Sequence, residues 1–109
     1  MLRTKEQQKM LCKTCPVARA ADLLGDSCTL LIVRDLLEGP KRFGDLEESL
    51  SGISSRTLTK KLCALEACGV IERVAYSERP PRVEYSLTKK GKGLRDVEQA
   101  LRQYGKKYL

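Results

Sequence analysis

Apolar and polar positions change period along the chain, and each change marks an expected element. In PVARAADLLG, Val17, Ala20, Ala21 and Leu24 share one helical face. Pro16 suits the first turn there, and Gly25 closes the helix. DSCTLLIVRDLLEGP follows, with Asp26 or Ser27 fit to cap its start and Gly39-Pro40 to end it. Leu30, Leu31, Ile32, Val33, Leu36 and Leu37 make this segment apolar nearly all round, the pattern of a central core helix. GDLEESL predicts a brief helix with Phe43, Leu46 and Leu50 turned inward. The SGI turn then leads to Ser54 and a longer helix over 55–68, which Gly69 closes.

Beyond Gly69 the period falls to two. Val70, Glu72, Val74 and Tyr76 share one parity in VIERVAY, while Ile71, Arg73 and Ala75 share the other. VEYSLT forms a second strand across the turn SERPPR, where Pro80-Pro81 cannot continue a paired ladder and the hairpin opens out. Thr88 caps the last segment, in which Leu94, Val97, Leu101, Tyr104 and Tyr108 recur at spacings of three, four, three and four. That is a heptad-like seam. A polar stretch from Arg3 to Leu11 predicts a further short helix. Helices, a helix-turn-helix pair, a hairpin and a terminal helix give a mainly α fold with a small β-hairpin (α+β): winged helix-turn-helix. It forms one domain over 1–109, with 1–14 as an N-terminal arm or helix and 88–109 as the C-terminal helix.

Composition narrows what such a fold does. The 109 residues allow one modest core, and with one Phe, four Tyr and no Trp it rests on Leu, Val, Ile and Ala. The 21 basic residues against 14 acidic leave a charge of +7, which favours a polyanionic partner such as nucleic acid. The chain has no His, so the commonest general base and metal ligand are missing. No Gly-rich phosphate loop or G-x-S-x-G elbow is present either. The expectation is a binding protein rather than an enzyme, without cofactor or metal. MLRTKEQQKMLCK lacks the apolar core of a signal peptide, and the apolar run near Leu30 to Val33 is too short to span a bilayer. A cytoplasmic protein with no membrane partner is expected, its five cysteines mostly reduced thiols. Cys63 and Cys68 stand five apart near one helix end, a poor match to a zinc ribbon, and with Cys28 they read as small core or surface residues.

The helix after SGI carries the candidate chemistry. Leu58, Leu62 and Leu65 form one face, and Arg56, Thr57, Lys60, Lys61 and Ala64 cluster away from it. Arg56 has the reach for a bidentate contact to a guanine edge. Thr57 suits a phosphate or a thymine methyl, and Lys60 and Lys61 suit phosphates. Ser54 as N-cap and Ser55 in the first turn place hydroxyls and free N–H groups where a phosphate docks. In the hairpin tip, Arg79 and Arg82 are placed for a neighbouring minor groove or phosphates. Against this, Asp45, Glu47 and Glu48 in the preceding helix repel phosphates at close range. A solvated basic face, or a winged-helix module that binds protein instead of DNA, is the alternative.

CPV at Cys15 to Val17, LLGDSCTLLIVRDLLEGPKRFGDLE at Leu23 to Glu47, GISSRTLTKKLCALEACGVIER at Gly52 to Arg73 and PPRVEYSLTKKG at Pro80 to Gly91 together resemble the HxlR-type family of transcriptional regulators. These are winged-helix relatives of the MarR group. The resemblance implies a sequence-specific DNA-binding regulator acting as a homodimer on double-stranded operator or promoter DNA. Its recognition helix over Ser55 to Cys68 enters the major groove, with Ser55, Arg56, Thr57, Lys60 and Lys61 as contacts. Its wing over 71–87, with a tip at Ser77 to Arg82, reaches the adjacent minor groove or backbone. The N- and C-terminal helices form the interface, which agrees with the seam Leu94, Val97, Leu101, Tyr104 and Tyr108. Cys15 falls at the position that senses electrophiles or oxidants in some members. Lys13 and Arg19 lie close to it, Pro16 puts it at a helix N-terminus, and Cys12 stands within reach as a partner thiol. One departure is plain: members commonly carry Lys-Trp where this chain has Ser27-Cys28. That shrinks the core locally and removes a phosphate contact.

Overall fold

The computed structural model describes residues 15–109, so the helix expected at 3–11 and Cys12 lie outside the described residues. The elements run α1 (Pro16–Leu24), α2 (Ser27–Glu38), α3 (Phe43–Ser49), α4 (Ser55–Ala67), β1 (Ile71–Tyr76), β2 (Arg82–Leu87), α5 (Lys89–Lys92) and α6 (Arg95–Tyr108). This is the expected winged helix-turn-helix order. The starts of α2, α4 and α5 sit where the N-cap side chain supplies an acceptor for an orphan N–H. Asp26 Oδ1 accepts from the Thr29 N–H at 2.8 Å, Ser54 Oγ from the Thr57 N–H at 3.1 Å, and Thr88 Oγ1 from the Gly91 N–H at 3.2 Å.

The last segment differs from expectation. In place of one helix after Thr88 there are two, α5 and α6, with the break at Gly93 and Leu94. The Leu94 N–H bonds back to the Gly91 carbonyl at 3.0 Å, a tighter turn than the α-helix makes. Gly91 is buried against the start of the hairpin, where an added Cβ would meet the Val70 carbonyl oxygen at 2.2 Å.

The core gathers Ile32 and Leu36 of α2, Leu46 of α3, Leu58, Leu62 and Leu65 of α4, and Val70, Ile71 and Leu87 of the hairpin. α2 is thus the central helix its pattern predicts. Among the described residues the sheet is one antiparallel pair, registered from Ile71↔Leu87 to Tyr76↔Arg82. A bridge between Lys41 and Tyr85 ties the α2–α3 link to β2, through N–H···O bonds of 2.9 and 2.7 Å. Two helices lie at the edge of this core, α1 touching it through Leu23. Leu24 is the buried residue of α1, whose Val17 is 76% exposed, and α6 buries no residue. Among the described residues no helix is long and apolar enough to cross a membrane.

Candidate nucleic-acid interface

α4 is fastened at both ends and along one flank. Its first turn is closed by Ser54, whose hydroxyl also donates to Thr57 Oγ1 at 2.9 Å. The Ser55 hydroxyl donates to the Glu47 carboxylate of α3. At the far end Gly69, at φ 75°, reverses the chain so that the Val70 N–H reaches the Leu65 carbonyl at 3.0 Å. Lys90 Nζ donates to the Cys68 carbonyl at 2.7 Å, placing a cation at the negative end of the helix. Thr88 Oγ1 donates to the Gly69 carbonyl at 2.6 Å. Between these anchors Leu58, Leu62 and Leu65 hold α4 to the core.

The opposite face is open. Arg56, Thr57, Lys60 and Ala64 are exposed. Arg56 and Lys60 make no ion pair or side-chain hydrogen bond among the described residues, so both cations are available to a ligand. Lys61 parts from them. It is half-buried, and its Nζ lies 3.0 Å from Asp26 Oδ2 at the head of α2. The helical period explains the separation. Each residue advances about 100°, so Lys60 points about 165° from the middle of the leucine face and Lys61 only about 65°. Grouping Lys61 with Lys60 by sequence therefore joins two different sides of the helix.

The wing sorts its two arginines in the same way. Arg79 is exposed and makes no ion pair among the described residues. Arg82 pairs with Glu78 at 3.1 Å and stacks over the Tyr76 ring, 4.3 Å from its centroid. The cross-strand partnership of Tyr76 with Arg82 brings that cation onto the ring.

Two of the three acidic residues of α3 accept hydrogen bonds from helix starts at the surface. Asp45 accepts from the Arg42 N–H at 3.0 Å, Glu47 holds Ser55, and Glu48 is exposed. Each engaged carboxylate satisfies a donor at a helix start.

Cys15 is the half-buried N-cap of α1, with extended backbone, at the helix's positive end. Cys28 is half-buried and lines an open groove of about 650 Å³ with Leu31, Leu50, Ile53 and Thr57, while Cys63 and Cys68 are exposed. The α6 seam divides: Leu94 packs on the core, whereas Val97, Leu101, Tyr104 and Tyr108 are 41–63% exposed. Between α2 and α6 runs a groove of about 340 Å³, walled by Leu30, Leu31 and Val33 on one side and Val97 and Leu101 on the other.

Comparison with known proteins gives the same reading of the fold. The model of the HxlR-like helix-turn-helix family matches residues 23–109. An HTH-type transcriptional regulator of Synechocystis sp. is 42% identical over 95 residues, spanning 87% of this chain and 70% of that protein. A MarR-family transcriptional regulator of Porphyromonas gingivalis superposes with a TM-score of 0.83 at 29% identity, covering 100% of this chain and 99% of that one. The redox regulator HypR in its oxidised form superposes with a TM-score of 0.82 at 33% identity, covering 87% of this chain and 98% of its own.

Proposed function

The chain belongs to the HxlR-like helix-turn-helix family, and from that premise we propose that it regulates transcription by binding duplex DNA as a homodimer, with α4 in the major groove. The observation that carries this reading is the open face of α4. Arg56 and Lys60 stand exposed, and unpaired among the described residues, on a helix whose other contacts fix its position. Arg56 supplies a planar fork for a base edge, Lys60 a point charge for a phosphate, and Thr57 a methyl and a hydroxyl. Arg79 extends the basic surface at the wing tip. Arg82, stacked and paired, stiffens the wing that presents it. The test is DNA affinity across a salt series for Arg56→Ala with Lys60→Ala. The expected result is weaker binding and a shallower salt slope, by about one unit for each phosphate that the variant no longer neutralises. Unchanged affinity and slope would contradict the assignment.

The homodimer reading is supported by the bare seam on α6. Val97, Leu101, Tyr104 and Tyr108 present an apolar stripe beside the α2–α6 groove, and a second copy of the same stripe would cover it.

Redox control through Cys15 is a second reading, favoured by its place at the positive end of α1 and by the likeness to a regulator named for redox function. Its test is DNA affinity before and after mild diamide treatment. Affinity changes in the unaltered chain and stays constant in Cys15→Ser if the reading holds. Equal affinities in all four states would sink it.

A further inference from the structure

We propose that Lys61 is a positioning residue, which sets the seat of α4 on α2 through Asp26 and makes no contact with DNA. The inference rests on the DNA-binding reading above and sharpens it, because it removes one cation of the recognition helix from the contacting set.

The geometry is specific. Asp26 is the N-cap of α2, and its carboxylate serves two elements at once. Oδ1 accepts from the Thr29 N–H at 2.8 Å, while Oδ2 accepts from the Thr29 hydroxyl at 3.1 Å and from Lys61 Nζ at 3.0 Å. Asp26 is thereby fixed by the start of α2 before it meets Lys61. Thr29 is itself buried, so the anchor does not swing with solvent. The buried leucines of α4 set which face meets the core. A charged hydrogen bond to a fixed carboxylate, on the flank of the leucine face, adds a directional constraint on the helix's roll. Roll matters here: a shift in it sweeps Arg56 and Lys60 across the groove, and small misplacements of a bidentate group break its hydrogen bonds. The other fastenings of α4, at Ser55, Cys68 and Gly69, sit at its ends. The Asp26–Lys61 pair acts near the middle.

A phosphate ligand and a positioning residue differ in what they do to salt dependence. Removing a phosphate ligand weakens binding to all sequences and lowers the salt slope by about one, whereas removing a support for base-reading groups weakens selective binding and leaves the slope alone. The experiment compares Lys61→Met, Lys60→Met and Asp26→Asn on two probes. One is a duplex selected from a random library by the unaltered protein, the other unselected random duplex. Asn retains the cap of α2 and discards the charge, so Asp26→Asn removes the anchor without unfolding the helix start.

The expected result is a several-fold loss of preference for the selected duplex in both Lys61→Met and Asp26→Asn, with the salt slope of Lys61→Met unchanged. The double variant is no worse than either single one, as two halves of one interaction require. Lys61→Arg, which still reaches Asp26, restores the preference. Lys60→Met lowers the slope. A slope that falls equally in Lys61→Met and Lys60→Met would overturn the proposal and leave the DNA-binding reading standing. If neither variant alters slope or preference, the proposal falls together with the reading it rests on. Thermal melts of all variants separate loss of fold from loss of recognition.

Discussion

Asp26 shows how much one carboxylate organises here. Partial burial pushes its carboxyl up, but the Thr29 N–H, the Lys61 ammonium and the Thr29 hydroxyl outweigh that and hold the group below its ordinary value. A carboxylate whose folded pKa is depressed adds stability that is complete above the unfolded pKa and is lost as pH falls through the folded one. With an ordinary Asp at about 3.9, the stability difference between the unaltered chain and Asp26→Asn should hold steady from neutral pH to about pH 4 and shrink below it. Urea unfolding at a series of pH values measures this. A difference that stays constant into strong acid would show that Asp26 has no such partners in solution. Lys60 and Lys61 carry the same lesson. Both are visible in the sequence as basic residues on one helix, yet one points to solvent and the other to α2. The period of the helix contains that distinction, but the identity of Lys61's partner does not follow from it, because Asp26 lies 35 residues away.

At the scale of elements, helix starts and the winged order are legible because the signals are local: an acceptor at the N-cap, a glycine at the close, a change of period at Gly69. What is not legible depends on packing between distant segments. The break between α5 and α6 is one case. Gly91 packs so closely on the hairpin that an added Cβ would lie 2.2 Å from the Val70 carbonyl oxygen and 2.9 Å from Leu87 Cδ2. That carbonyl also accepts from the Thr88 N–H at 3.0 Å, so it cannot retreat without releasing the start of α5. Gly91→Ala should therefore destabilise the fold by about 1–3 kcal/mol, the usual range for overpacking a filled site. A thermal or urea melt reads the change, and an unaltered midpoint would contradict the close packing. The wing is a second case. Its sequence alone points Arg82 at DNA, but the register that sets it opposite Tyr76, and the turn that returns Glu78 to it, arise only when the hairpin closes.

At the scale of the molecule, two surfaces have no partner among the described residues, the basic face of α4 and the apolar stripe of α6. In the proposed dimer the two belong together: the stripe would pair two chains, and pairing would set two α4 helices at a fixed spacing. Leu101→Asp should yield a folded monomer, seen by sedimentation, with DNA affinity reduced far more than removal of one DNA-facing side chain would explain. A dimer that survives the substitution would place the interface elsewhere. The most direct test of DNA reading by a paired α4 is a chemical footprint of the unaltered protein on a duplex that it selects from a random library. The expected footprint has two protected major-groove patches related by two-fold symmetry, about 34 Å apart, with Arg56→Ala relaxing base preference within both. A single patch, protection confined to the backbone, or no selected sequence at all would contradict it.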